Sequence, residues 1–461
     1  MNVLAGSLLS IGLLLLASQA EAACARFDGS TTKHGAGPVS SWRTDYPADV
    51  TPGSPPPWTS VSFKTDPERY MSAVLSTVRT DFLVTGDRLV ANTVHNEWWI
   101  APWMDYTSNG REPRMGLTSE RGPDAGDLSP TSGDKYQVWA VGFYNRAGAT
   151  LLGSIFEDEC DPSVPVAVRF PEQTASVKFL FTNASPDEVS YLKGAPEFKA
   201  YINPDPALPR PETRPEKREL RTLRLLQVDI AVKDRRADET GWVFGTFIWN
   251  GPPTGDQIFD NLVPASLQWG NDPGVYDKAI RESWINPTLD GILYGWTERP
   301  FLGFNGRANG PADNLRSSCL SCHATARTPA GHLRLVDGRF DMDSDYKDPA
   351  KVAAHVDTWF QNIRGNALFL PNEPARASLD YSLQLDNAIF RLCTACLTGD
   401  LKGATPKICR DIGFQSTVDK VVKLTRAMCT DASSAARMKA TPFAGFRSEF
   451  EALTTAAPAR Q

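Results

Sequence analysis

In two stretches, Ala175–Asn183 and Leu225–Asp234, apolar residues recur at every second position, a period that suits strands rather than amphipathic helices. In "ASVKFLFTN", Val177, Phe179 and Phe181 share one face. "LLQVDIAVKD" repeats the pattern, with Leu226, Val228, Ile230 and Val232 on one side and Gln227, Asp229 and Lys233 on the other. "TGWVFGTFIWNG" is apolar on both faces, as in a central strand covered on both sides. Upstream, "KYQVWAVGFYN" and "RAGATLLGSIF" read as two strands joined by a hairpin turn at Asn145-Arg146-Ala147-Gly148. Short strands separated by Pro/Gly turns predict a β-sandwich-like domain over residues 79–299. The Pro-rich, charge-alternating stretch from Asn203 to Arg221 predicts a solvated loop within it.

Near Arg299 the period changes. "DPAKVAAHVDTWFQNI" places Val352, Val356, Trp359, Phe360 and Ile363 on a helical stripe, with Asp348-Pro349 as the start signal. "DNAIFRLCTACL" and "STVDKVVKLTRAMC" also predict helices, so residues 300–461 form a mainly α domain. The fold class predicted is therefore α+β. The chain has 461 residues and 41% apolar content, enough for two or three cores. A net charge of −6 argues against nucleic acid as a partner, because phosphate binding needs a basic surface.

At the other end, residues 1–22 carry an apolar run from Val3 to Ala17 and an A-x-A site at Ala20-Glu21-Ala22, the pattern of a signal peptide. No Lys or Arg precedes the run, and the run is shorter than a bilayer span. Residues 23–78, rich in Gly, Pro, Ser and Thr, predict a lead-in of loop and extended chain. Export to the periplasm or beyond, without a membrane span after cleavage, is expected, in a compartment where disulfides persist.

One constellation of rare residues carries chemistry. Cys319-Leu320-Ser321-Cys322-His323 is a C-x-x-C-H sequence, the pattern of covalent heme attachment. With eight Cys and five His placed at random, about 0.002 such matches are expected in a chain of this length. On a helix the two thiols reach two vinyl groups of one porphyrin edge, and the adjoining imidazole becomes the proximal iron ligand. A zinc site would need further ligands, which Cys393-x-x-Cys396 could supply, and a dithiol would favour a βαβ setting. Cys393-x-x-Cys396 is followed by Leu397 and lacks a proximal histidine. With Cys409 and Cys429 it has thiols for two disulfides of undetermined pairing, and Cys24 and Cys160 would pair with each other.

On these residues the chain resembles the c-type cytochromes. "GREPRMGLTSERG", "VWAVGFYN", "TGWVFGTFIWNG", "NLVPASLQWGNDP" and "LGFNGRANGPADNLRSSCLSCHATA" are similar to a set of uncharacterised exported bacterial cytochrome c family proteins with a long strand-rich region. The resemblance implies heme c bound at Cys319 and Cys322, iron ligation by His323, and electron transfer with a redox partner protein. A second axial ligand, usually Met or His, is then needed. Met342 is the first candidate, ahead of His355, Met428 or Met438, and His95 or Met104. An iron without one would bind small ligands and suit a heme-dependent oxidoreductase whose β-rich domain binds substrate. Arg307, Asn309, Arg316 and Arg327 flank the motif as candidate partners for heme propionates. The aromatic stretch beginning at His95 reads as a core cluster.

Overall fold

A computed structural model describes residues 39–410 except 41, 44, 51–53, 87, 93–96, 102–116, 121, 130–131, 134–135, 159–160, 203–218, 256–257, 278, 290–302, 330–339, 343, 370–376 and 398–404. The signal segment, Cys24, Cys160, Cys429, His95, Met104, His332, Met428, Met438 and the helix expected in "STVDKVVKLTRAMC" lie outside the described residues. So does most of the loop from Asn203 to Arg221.

The described strands form three sheets. β1 (Val39–Ser40), β2 (Phe82–Thr85) and β3 (Arg88–Ala91) make a small sheet in the order β1-β3-β2. The large sheet has nine strands: β4 (Trp98–Ile100), β5 (Thr118–Ser119), β6 (Val138–Asn145), β7 (Ala175–Thr182), β8 (Glu197–Ile202), β9 (Glu219–Lys233), β10 (Trp242–Trp249), β11 (Leu262–Gln268) and β12 (Ser283–Ile285). Its order is β12-β11-β10-β9-β7-β6-β4, all antiparallel, with β5 on β6 and β8 on β9. β13 (Arg327–Thr328) and β14 (Ala377–Ser378) pair separately. With the helices below, this is a mixed α+β fold.

Residues directly opposite one another in antiparallel strands project to the same face, so the register sorts the large sheet into two faces. One carries Val177, Phe179, Val228, Ile230, Val232, Val243 and Phe247, all buried in the first core. The alternation of "LLQVDIAVKD" is realised here, and every residue of β10 is buried, as the two-sided apolar pattern predicts. This face is covered by the small sheet and by α1 (Pro67–Asp81). Phe82 of β2 lies 4.9 Å from Phe143 and 5.1 Å from Phe179, ring centre to ring centre.

α1 departs from the expected loop lead-in. The Asp66 carboxylate accepts the Arg69 N–H as N-cap and Pro67 occupies the first turn, where its missing N–H costs nothing. Tyr70, Met71, Val74, Leu75 and Val78 then bury one helical stripe. A second departure corrects the expected hairpin at Asn145-Arg146-Ala147-Gly148. The chain leaves β6 into α2 (Arg146–Ile155) rather than a second strand. Asn145 caps this helix through the Gly148 N–H, 3.2 Å away, and also accepts the Ala175 N–H at 3.0 Å. Ala149, Leu152 and Ile155 are buried at helical spacing.

The opposite face of the large sheet meets residues that follow in sequence: α3 (Cys319–His323), α4 (Pro349–Trp359) and α5 (Leu383–Leu397). Asp348 and Pro349 start α4 as the sequence predicts. A second core joins Tyr144, Trp242 and Phe244 of the sheet to Leu320, Leu379, Tyr381, Leu385, Ile389 and Leu392. A third, smaller core gathers Phe304, Phe340, Val352, Val356 and Phe360.

Candidate functional site

The C-x-x-C-H sequence folds as the five-residue helix α3. Ser318 is its N-cap, and Ser318 and Ser321 satisfy each other's backbone N–H in a reciprocal capping box. The helix is keyed to the sheet by Gln268 of β11, whose Oε1 accepts the Leu320 N–H at 3.0 Å and whose Nε2 donates to Ser318 Oγ at 3.1 Å. Asn271 Oδ1 accepts the Ser318 hydroxyl at 3.0 Å. Leu320 and Ser321 are buried by this docking. At 3.6 residues per turn, Cys319, Cys322 and His323 occupy the remaining sector together, and all three are half-buried.

Neither motif cysteine is in a disulfide. Burial raises the Cys319 thiol well above its ordinary value, and the Asp313 and Asp229 carboxylates push it further in the same direction. The Cys319 sulfur lies 3.8 Å from Asn309 Oδ1 as a weak donor. His323 is held from both sides. Its Nδ1 lies 2.8 Å from the Tyr381 carbonyl, and its ring centre is 4.5 Å from that of Phe244. Burial lowers its pKa to about 4, against the opposing pull of the Tyr381 carbonyl, so the imidazole is neutral at neutral pH. A neutral ring facing a carbonyl at Nδ1 must carry its proton there, which leaves the Nε2 lone pair free to ligate a metal.

The sheet beneath the motif is polar where a plain core would be apolar. Gly142, Lys178, Asp229, Thr246 and Ser266 stand opposite one another across β6, β7, β9, β10 and β11, one row from Tyr144, Ser176, Ala231, Phe244 and Gln268. Lys178 Nζ pairs with Glu120 at 3.2 Å. Gln227 Nε2 bridges two carboxylates, donating to Asp229 Oδ1 at 3.0 Å and to Asp313 Oδ2 at 3.3 Å. Thr246 donates its hydroxyl to Asp229 Oδ1 at 2.7 Å. Burial, then the nearby Asp313 charge, raises the Asp229 pKa to about 7. Lys178, Asp313 and Glu120 all act electrostatically on His323, and Asp229 and Asp313 act on Cys319, so this row and the motif share one environment.

Sequence reasoning did not single out Lys178, Glu120, Asp229 or Asp313. The alternation placed Lys178 and Asp229 opposite the apolar face, which reads as solvent-facing. That face is covered by later segments of the chain, the Asn309 carbonyl accepting the Ser266 hydroxyl at 3.3 Å and Gln384 lying beside Gly142.

The other expected site residues are placed elsewhere. Met342 lies against the Phe304, Phe340, Val352, Val356 and Phe360 cluster, whereas Cys319 packs with the second core. His355 joins the same cluster as Met342, 4.5 Å from Phe340 and 4.7 Å from Phe304 between ring centres. Its Nε2 is engaged by the Arg316 carbonyl at 2.8 Å, and burial lowers its pKa to about 4. The Arg307 guanidinium is fully buried and donates to the carbonyls of Asn271, Asp272 and Val275 at 2.7, 2.9 and 2.9 Å, a structural use rather than a free cation. Arg316 Nε donates to the Phe340 carbonyl at 2.6 Å.

Cys393 and Cys409 form a disulfide, while the Cys396 thiol is free. That bond selects one partner among the pairings left open by spacing, and it removes Cys393 as a thiolate for zinc. Among the described residues, no three or more His, Cys, Asp or Glu side chains are grouped to hold a metal ion by themselves. No helix among them is long and apolar enough to cross a membrane. Comparison with protein-family models, curated proteins and solved structures finds no match for this chain.

Proposed function

We propose that this chain is an exported monoheme c-type cytochrome that transfers electrons to or from a redox partner protein. The observation that carries the reading is α3: two cysteines outside any disulfide and a neutral imidazole in one sector of one short helix, with Nδ1 facing a carbonyl and Nε2 turned away from it. Metal-ligating histidines characteristically donate their other ring N–H to such an outer partner, which fixes the ring and raises its basicity. The residues present therefore fit heme c, with Cys319 and Cys322 as thioether anchors and His323 as the iron ligand. Bound heme supplies a one-electron couple whose potential follows its axial ligands and surroundings. The β-sandwich-like part ahead of a mainly α heme-binding part belongs to the same proposal. The small sheet packed over the large one through Phe82 supports the first half of it. Met342 remains the proposed distal ligand.

Expression with heme c maturation machinery tests the attachment. Heme-stained denaturing gels and intact mass should show one covalent heme, lost in Cys319→Ala/Cys322→Ala. A wild-type chain without the adduct ends this reading. Removing the distal ligand with Met342→Ala should abolish the Met–iron charge-transfer band near ~700 nm.

A second reading, a heme-dependent oxidoreductase, is favoured by the row of Lys178, Asp229 and Thr246 beneath the motif. An acid with a pKa of about 7 can give or take a proton at neutral pH, a property that a simple electron carrier does not require. A high-spin ferric spectrum, and rapid carbon monoxide binding once the heme is reduced with dithionite, both unchanged in Met342→Ala, would select this reading over the carrier.

A further inference from the structure

The Tyr381 carbonyl reaches His323 from an unusual piece of backbone. Two consecutive residues other than glycine, Asp380 at φ 48° and Tyr381 at φ 68°, occupy the left-handed region. Side chains disfavour that region, and it persists only where the surroundings over-determine it, most often at functional positions. Here the constraint centres on the Asp380 carboxylate, which has no exposure to solvent.

Asp380 Oδ1 accepts from Lys233 Nζ at 2.7 Å and from Trp242 Nε1 at 2.8 Å. Its Oδ2 accepts the Phe170 N–H at 2.7 Å. Lys233 and Trp242 stand opposite each other at the end of the β9–β10 ladder, so the large sheet itself supplies two of the three donors. The Tyr381 hydroxyl donates to the Ile363 carbonyl at 2.6 Å and pins the next residue. A Cβ on Gly365 would stand 1.8 Å from Asp380 Oδ1, so the carboxylate also depends on a glycine there. An ordinary turn needs none of this.

We propose that Asp380 is a positioning residue for His323. It transmits the geometry of the β9–β10 ladder to the 380–381 backbone, so that the Tyr381 carbonyl accepts the hydrogen bond from Nδ1–H and Nε2 is presented as the ligand atom. The inference rests on the heme reading for its purpose, but not for its geometry.

The test uses the full chain labelled with ¹⁵N-histidine, as wild type and as Trp242→Phe, Lys233→Met and Asp380→Asn. In the wild type, NMR should show His323 as the Nδ1–H tautomer alone. The variants should show the Nε2–H form as well. With heme attached in equal amount by mass, their one-electron equilibrium should shift about tenfold, the scale of losing an outer partner of a metal-bound histidine. That is about 59 mV for one electron. Lys233→Arg, which keeps a cationic donor, should stay near wild type.

If Asp380 is only a structural anchor, the variants lose thermal stability while tautomer and potential stay at wild-type values, and the proposal is overturned. Should Asp380→Asn fail to fold, the two single-donor variants decide. The tautomer is read equally in Cys319→Ala/Cys322→Ala, so a chain that takes up no heme defeats the heme reading while this measurement still judges Asp380.

Discussion

His323 and His355 are both half-buried as neutral rings, and both acquire an acid-sensitive role from that desolvation. Each has a folded-state pKa lowered to about 4 by desolvation, so the unfolded chain binds protons that the folded chain refuses. Stability is therefore present above the ordinary histidine range and is lost as pH falls from about 6.5 toward 4. His355→Phe keeps a ring between Phe340 and Phe304 without the titration. Urea midpoints should fall less on acidification in this variant, the difference reaching about 2 kcal/mol by pH 4. Asp229 has the opposite sign. Its pKa is raised to about 7, so its contribution is greatest below about pH 4 and is lost as pH rises through 7. Asp229→Asn should therefore be more stable than wild type at about pH 8, by about 1–3 kcal/mol, and should lose the advantage in acid. A variant equally stable relative to wild type at both pH values would show that Asp229 is not held against ionisation. At this scale the Cys319, Cys322 and His323 triplet was legible because spacing along one helix is a local property. Lys178, Asp229 and Asp313 come from three separate segments, and no local pattern distinguishes a covered polar row from a solvated one.

The elements show where local signals compete. Asn145-Arg146-Ala147-Gly148 carries turn residues, but the same asparagine serves as an N-cap, and Ala149, Leu152 and Ile155 match a helix as well as a strand. The apolar stripe of α1 was likewise present in the sequence, behind Asp66-Pro67, though the surrounding Pro and Gly suggested a loop. α3 could not be stable alone, because five residues are far below the length at which an isolated helix forms. Its persistence depends on Ser318. Replacing Ser318 by Ala removes the cap, worth about 1 kcal/mol, and leaves Gln268 and Asn271 short of a buried partner, about 1–2 kcal/mol more. Chemical denaturation should show a loss near 2–3 kcal/mol in Ser318→Ala, with most of it recovered in Ser318→Thr. A loss below about 0.5 kcal/mol would mean that the sheet holds α3 without its cap.

Taken whole, the molecule is a large antiparallel sheet with a different cover on each face. Among the described residues, the small sheet and α1 close one face, and Leu320, Tyr381 and Leu385 pack the other against Tyr144, Trp242 and Phe244. A chain ended at residue 289 would expose that second face. It should bind a hydrophobic dye and lose the sharp thermal transition, while the full chain should unfold in one transition by tryptophan fluorescence and circular dichroism. Two resolved transitions in the full chain would contradict a shared core. The sequence alone determined the strand period, the two-sided burial of β10, the start of α4 and the order of the C-x-x-C-H residues, because each depends on neighbours a few positions apart. Tertiary structure alone decided what lies under that motif and what orients its histidine. Lys178 and Asp229 become partly covered, and the Tyr381 carbonyl meets His323, only when segments more than 50 residues apart are folded onto one sheet face. Their chemistry comes from desolvation and angle, and neither is a property of the chain until it is packed.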